Sequence, residues 1–210
     1  MTSPVFDAGF RQQLAALFRW RRDVRSFRPD PLPDGLVDSL LATGSGAPSV
    51  GLSQPWRYVL VDDPSRRAKV RASFAACNAA ALSDQSADRA GLYARLKLEG
   101  MDQAPVHLAV CVEPAPAQGH GLGRMTQPET AAHSAVLAVH TIWLAARAEG
   151  VGLGWVSILE PDAVLLALDL PASWRLVAYL CLGYPAEESE LPELERLGWE
   201  QRRTSAVLRR

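Results

Sequence analysis

The segment ETAAHSAVLAVHTIWLAARAEG, residues 129–150, constrains the fold of this chain most strongly. It reads as one helix, begun near Thr126 or Pro128 and ended by Gly150. Its apolar residues lie on most faces, and a helix of that kind is buried on more than one side. The chain must therefore wrap structure around it. The candidates are strands at RYVLVDD (57–63), VHLAVCVE (106–113), VGLGWVSI (151–158) and RLVAYLCLGYP (175–185). Further helices are expected around Phe10, Leu14, Leu17 and Phe18, around Leu36 to Leu41, over 64–82 and 87–101, and near 161–168. Strands alternating with helices give an α/β or α+β domain in which helices cover a sheet. With 210 residues and no repeat or linker, residues 1–210 read as a single domain with a short N-terminal lead and a charged C-terminal arm.

A net charge of −1 argues against a nucleic-acid-binding surface. Cys77, Cys111 and Cys181 are far apart in apolar stretches, which fits a reduced, cytoplasmic setting better than a disulfide framework or a metal site. MTSPVFDAGF lacks the basic and apolar regions of a signal peptide, and no apolar run has the length of a membrane span. GSGAPS, GHGLGR and GVGLGW each contain G-x-G, yet none completes G-x-G-x-x-G, so a Rossmann nucleotide site is not supported. His133 and His140 are seven apart, not at the spacing of a zinc helix, and they read as core or interface residues.

RRDVRSF (21–27) carries more information. If the first helix continued through it, Arg21 and Arg25 would share a face and grip one phosphate, with Asp23 pointing elsewhere on the same ligand. The plainer alternative is a set of cations at a helix C-terminus. APSVGLSQPWRYVLV (47–61) is a turn running into a strand, with Pro48, Ser49 and Gln54 as candidate ligand contacts. GWVSI places Ser157 at a strand end. EPAPAQGHGLGRMTQPE is a long loop to which the sequence assigns no chemistry.

In order and spacing, RRDVR, APSVG-x-x-QPW, LKLEG, GWVSI and LCLGYP resemble the nitroreductase-fold flavoproteins, most closely the 5,6-dimethylbenzimidazole synthases (the BluB family), over about residues 14 to 203. The resemblance implies an α+β fold with a central, mainly antiparallel sheet flanked by helices. It also implies an intertwined homodimer with FMN at the subunit interface. It implies that reduced FMN is a substrate, fragmented with O2 to 5,6-dimethylbenzimidazole and erythrose 4-phosphate, and that a separate flavin reductase supplies it. No nucleic acid or membrane enters this picture.

Arg21, Arg22 and Arg25 match the phosphate- and ribityl-binding segment; Pro48, Ser49 and Gln54 match the loop that approaches the flavin. Gly154, Trp155 and Ser157 match a flavin-binding strand end, and Leu98, Glu99 and Gly100 match a lid. Asp23 and Ser157 match the two functional polar residues. General nitroreductases usually carry Ser at the Asp23 position, and often Asn where this chain has Leu52. The rival readings are an NAD(P)H-dependent nitroreductase or dehalogenase that keeps its FMN, and a flavin-binding module without chemistry.

Overall fold

The computed structural model describes residues 3–210. Its strands are β1 (Trp56–Leu60), β2 (Val106–Val112), β3 (Gly152–Val156) and β4 (Arg175–Gly183). They lie side by side in the order β1-β2-β4-β3, each neighbouring pair antiparallel. The helices are α1 (Ala8–Trp20), α2 (Leu36–Ser45), α3 (Pro64–Ser83), α4 (Ala87–Tyr93), α5 (Thr130–Ala148), α6 (Pro161–Ala167) and α7 (Glu193–Arg196). The α+β architecture expected from the sequence is the one found.

Alternation along the two central strands builds two cores. Leu108, Val110 and Val112 of β2, with Ala178, Leu180 and Leu182 of β4, face α2 and α5. Ala109, Tyr179 and Cys181 face the other way, toward Val70 and Phe74 of α3 and Val164 of α6. The three cysteines are free thiols.

α5 lays Ala135, Ala138, Val139 and Ile142 on the sheet. Its opposite face stays open: Val136 and Leu137 are 39% and 45% exposed, and His133 and His140 lie beside them. Burial on more than one side is thus met on one side only within a single chain. α1 is amphipathic and buries no residue fully; Phe10, Leu14, Leu17 and Trp20 line an open groove of about 600 Å³ that reaches Arg147 of α5.

One expected helix is corrected, and the conditional extension of the first helix through 21–27 is not made. α1 stops at Trp20, and residues 21–27 run extended, bridging from Asp23 to Leu153 and from Phe27 to Pro185. The segment pairs with the rim of the sheet because Val24 N–H donates to Leu153 O (3.0 Å) and Tyr184 O accepts from Arg28 N–H (2.8 Å). The helix expected over 87–101 ends at Tyr93. Beyond it the carbonyl of Lys97 accepts from Arg25 (3.2 Å), and Gly100 wedges against the Phe27 ring, so neither is free to continue the helix.

His107, on β2, is 1% exposed. Its Nε2 lies 3.0 Å from Met101 O and its Nδ1 2.9 Å from the Tyr179 hydroxyl. A carbonyl only accepts, so Nε2 carries the hydrogen and Nδ1 accepts from Tyr179. Burial, and next the positive charge of Arg67, push His107 down from 6.5 to about 4. Between those two values the unfolded chain binds a proton that the folded chain refuses. Stability should therefore fall as pH drops from 6.5 to about 4 and level off below, by about 3 kcal/mol from this residue. Urea unfolding across that window checks it: His107→Gln should lose this part of the slope, and an unchanged slope would refute the assignment.

Candidate functional site

The extended path of residues 21–25 changes which side chains share a face. In a strand the odd positions align, so Asp23 lies with Arg25 instead of pointing away from it. Arg25 Nε and Nη2 donate to Asp23 Oδ2 at 3.1 and 2.9 Å, and Trp155 N–H donates to Asp23 Oδ1 at 2.9 Å. The carboxylate is held by three donors, yet its side chain remains 31% exposed, whereas that of Arg25 is only 14% exposed. A carboxylate offers about four lone-pair directions, so one remains for a ligand. Asp23 opens onto a cleft of about 80 Å³ that Arg22, Arg25, Ser26, Glu193 and Arg196 also line.

The other arginines are placed differently. Arg21 stacks over the Trp143 ring, 4.9 Å from its centre. Arg22 donates to the carbonyls of Arg19, Arg21 and Glu190, which caps the end of α1 and ties down the C-terminal segment. Its Nε is buried without a partner. Burial and the positive charges of Arg202 and Arg21 lower its pKa.

β3 supports the site from beneath. Gly154 is buried, and a Cβ there would overlap the carbonyl oxygen of Val24. Trp155 is half-buried, and Ser157 is exposed one residue beyond the strand end, on the same face as Trp155. In the segment matched to a lid, Lys97 reaches Arg25 through its carbonyl, while Leu98 packs into the second core. The Glu99 side chain accepts from Met101 N–H and lines a groove on α3.

The loop 48–54 is a separate feature. Pro48 and Gln54 are exposed and Ser49 is half-buried. Ser49 Oγ accepts from Gln54 N–H (3.1 Å), and Gln54 donates to Ser45 O (3.1 Å). Leu52 and Gln54 adopt positive φ of 54° and 41°. Two left-handed non-glycine residues so close together mark a loop held in shape by its surroundings. Those surroundings are the GHGLGR loop: Gln118 donates to Leu52 O (2.7 Å), and a Cβ on Gly119 would come within 2.7 Å of Gly51 O. Sequence reasoning gave this loop no role; three glycines at alternating positions were the available signal.

One chain does not unite the two halves of the expected site. Val50 N–H bonds Ser134 Oγ near the start of α5 (3.0 Å), whereas Trp143 Nε1–H bonds Arg22 O near its end (3.0 Å). These anchors are nine positions apart on the helix, about 13 Å.

Among the described residues, no group of three or more His, Cys, Asp or Glu side chains is placed to hold a metal ion, and no helix is long and apolar enough to cross a membrane.

The nitroreductase family model matches residues 18–184. A 5,6-dimethylbenzimidazole synthase of Rhodospirillum rubrum is 57% identical over 209 residues, covering 100% of this chain and 99% of that protein. A synthase of the same name from Rhodobacter capsulatus is 50% identical, covering 93% of this chain and 95% of its own. Among solved structures, oxidised iodotyrosine deiodinase bound to FMN and 3-iodo-L-tyrosine superposes with a TM-score of 0.73 at 22% identity, covering 93% of this chain and 97% of that one.

Proposed function

The chain belongs to the nitroreductase family, and from that premise we propose that it is a 5,6-dimethylbenzimidazole synthase, which fragments reduced FMN with O2 to 5,6-dimethylbenzimidazole and erythrose 4-phosphate. The observation that carries this reading is full-length identity of 57% to a synthase of that name. An aspartate seated on Trp155 N–H at the rim of the sheet agrees with it, because it supplies an acceptor at the heart of the cleft.

The residues present fit a flavin phosphate. Arg25 uses three of its five N–H donors inside the chain, which leaves two. Arg22 Nε is an unpaired donor beside the same cleft. Arg25, which lines the cleft with Asp23, supplies the charge that charge-assisted bonds to a phosphate require, and Arg21, stacked on Trp143, adds positive charge nearby. When bound, reduced FMN supplies the electrons for O2 and the carbon skeleton of both products. Asp23 then accepts or relays a proton near the ribityl chain, and Ser157 donates a hydrogen bond toward the ring.

We also propose a homodimer. A cleft of about 80 Å³ is far smaller than the roughly 300 Å³ at which ligand pockets begin. A two-fold axis through the open face of α5, at Val136 and Leu137, would set the start of one α5 against the end of the other. That arrangement brings Pro48, Ser49 and Gln54 of a second copy to the Asp23 cleft and covers the apolar groove of α1. The reduced flavin then comes from a separate reductase. Free thiols suit a cytoplasmic setting.

Anaerobic loading with reduced FMN followed by O2 tests the reading. Dimethylbenzimidazole should form from a sample that light scattering shows to be dimeric. Intact FMN with NAD(P)H turnover would establish the nitroreductase instead; unchanged flavin would leave only binding; a folded monomer at micromolar concentration would reject the dimer.

A further inference from the structure

The buried pair His107 and Tyr179 lies outside the cleft, and nothing in the proposed reaction uses it. It does, however, hold one end of the segment that touches Arg25. Residues 97–101 are fixed at two points: Arg25 Nη1 donates to Lys97 O (3.2 Å), and His107 Nε2 donates to Met101 O (3.0 Å). Between these points Gly100 sits against Phe27 and the Arg25 carbonyl so closely that no side chain fits. The turn that follows is closed by Gln103 and Ala104 N–H donating to Gly100 O (3.3 and 3.0 Å) and by Lys97 Nζ donating to Gln103 (2.9 Å). Only three residues lie between the two clamps, so the position of Met101 O limits where Lys97 O can be.

The clamp at Met101 is rigid. His107 and Tyr179 stand on the two central strands, 1% and 0% exposed. The hydroxyl of Tyr179 fixes the imidazole so that its single N–H points at Met101 O. The clamp at Lys97 is made by the guanidinium that also grips Asp23. A line of direct hydrogen bonds and one short backbone segment thus joins Tyr179, His107, the 97–101 segment, Arg25 and Asp23.

We propose that His107 and Tyr179 are positioning residues for Asp23: they hold residues 97–101 where Lys97 O can orient Arg25, and Arg25 orients the carboxylate. The inference rests on the proposed synthase reading for its catalytic consequence and on geometry alone for the clamp. Loosening the clamp lets Arg25 swing and Asp23 leave Trp155 N–H. Bound reduced FMN then loses two electrons to O2, giving intact oxidised FMN and hydrogen peroxide in place of dimethylbenzimidazole.

The test uses the full chain and two independent readouts: amide exchange residue by residue, and dimethylbenzimidazole formed per bound flavin after an O2 pulse. The Trp155 amide reports directly on Asp23, since its N–H donates to that carboxylate. In Tyr179→Phe and His107→Leu, exchange at residues 98–104 and at Trp155 should rise about fivefold, while Leu108 and Leu180 stay protected. Yield per bound flavin should fall by about the same factor, with hydrogen peroxide rising. His107→Gln keeps an N–H for Met101 O and should recover most of both. Unchanged exchange at Trp155, or a uniform rise across both central strands, would overturn the proposal, as would a loosened segment with undiminished yield. Should the unaltered protein form no product, the synthase reading fails, and the Trp155 amide still decides whether the clamp positions Asp23.

Discussion

Asp23→Asn is expected to abolish dimethylbenzimidazole formation, lowering product per bound reduced flavin by about a hundredfold or more, the usual contribution of a positioned general base. The geometry makes this substitution demanding. Asp23 presents Oδ1 to Trp155 N–H and Oδ2 to two N–H groups of Arg25. Both oxygens face donors, so an amide at this position must turn its NH2 toward one of them. If the amide oxygen stays on Trp155 N–H, its NH2 meets the guanidinium; if it stays on Arg25, its NH2 meets the backbone donor. Some loss of stability, about 1 kcal/mol, is expected whichever way the amide turns.

A purely structural carboxylate also predicts that loss, together with weaker flavin binding. The two accounts part at the product formed per bound flavin. A salt bridge without chemistry leaves that ratio intact, whereas a base or proton relay removes it. Anaerobic loading to a measured flavin occupancy, then an O2 pulse and quantification of product, reads the ratio directly. Normal yield per bound flavin from Asp23→Asn would eliminate the catalytic role and leave the Arg25 pair as the whole explanation of the residue.

Much of the architecture was legible because apolar periodicity carries it. The strands of the central sheet and the long helix alternate or repeat over enough residues for the pattern to decide, and α3 and α6 were read to within a residue of their observed ends. RRDVRSF carries no such pattern. Arg21 and Arg25 are four apart, which suits a helix face, and Asp23 is two from each, which suits a strand. Its conformation is chosen by partners far along the chain, Leu153, Trp143 and Pro185. The helix expected over 87–101 failed for a related reason. Its second half has helical composition, but its carbonyl at Lys97 and its glycine at 100 are used by Arg25 and Phe27. The residues of the candidate site were therefore visible as residue types, while their relation to one another was not. Asp23 would face away from Arg25 only in a continuing helix; in the extended segment it bonds that arginine, as the salt-bridge alternative requires. The separation of the 48–54 loop from Arg22 along α5 is likewise a property of the fold, invisible in spacing alone.

Gly154→Ala should be among the most damaging single-methyl additions in this chain. The Val24 carbonyl crosses directly over Gly154, so a Cβ would overlap its oxygen, and a backbone atom cannot turn aside as a side chain tip can. The crossing is held by Val24 N–H donating to Leu153 O at 3.0 Å. To admit a methyl group, residues 23–25 must lift from β3, which breaks that bond and draws Asp23 away from Trp155 N–H. Forced overpacking of this kind costs about 1–3 kcal/mol, and the lost hydrogen bond adds about 1 kcal/mol. Urea unfolding should show a loss of about 3 kcal/mol. Product per bound flavin should fall with it, since the same displacement dismantles the Asp23 contacts. Gly91→Ala is the informative comparison. That glycine lies inside α4 with open space around its Cβ position, so alanine should stabilise by roughly 0.5–1 kcal/mol. A Gly154→Ala protein as stable as Gly91→Ala would mean that the 21–27 segment does not lie against β3, and the placement of Asp23 on Trp155 would fall with it.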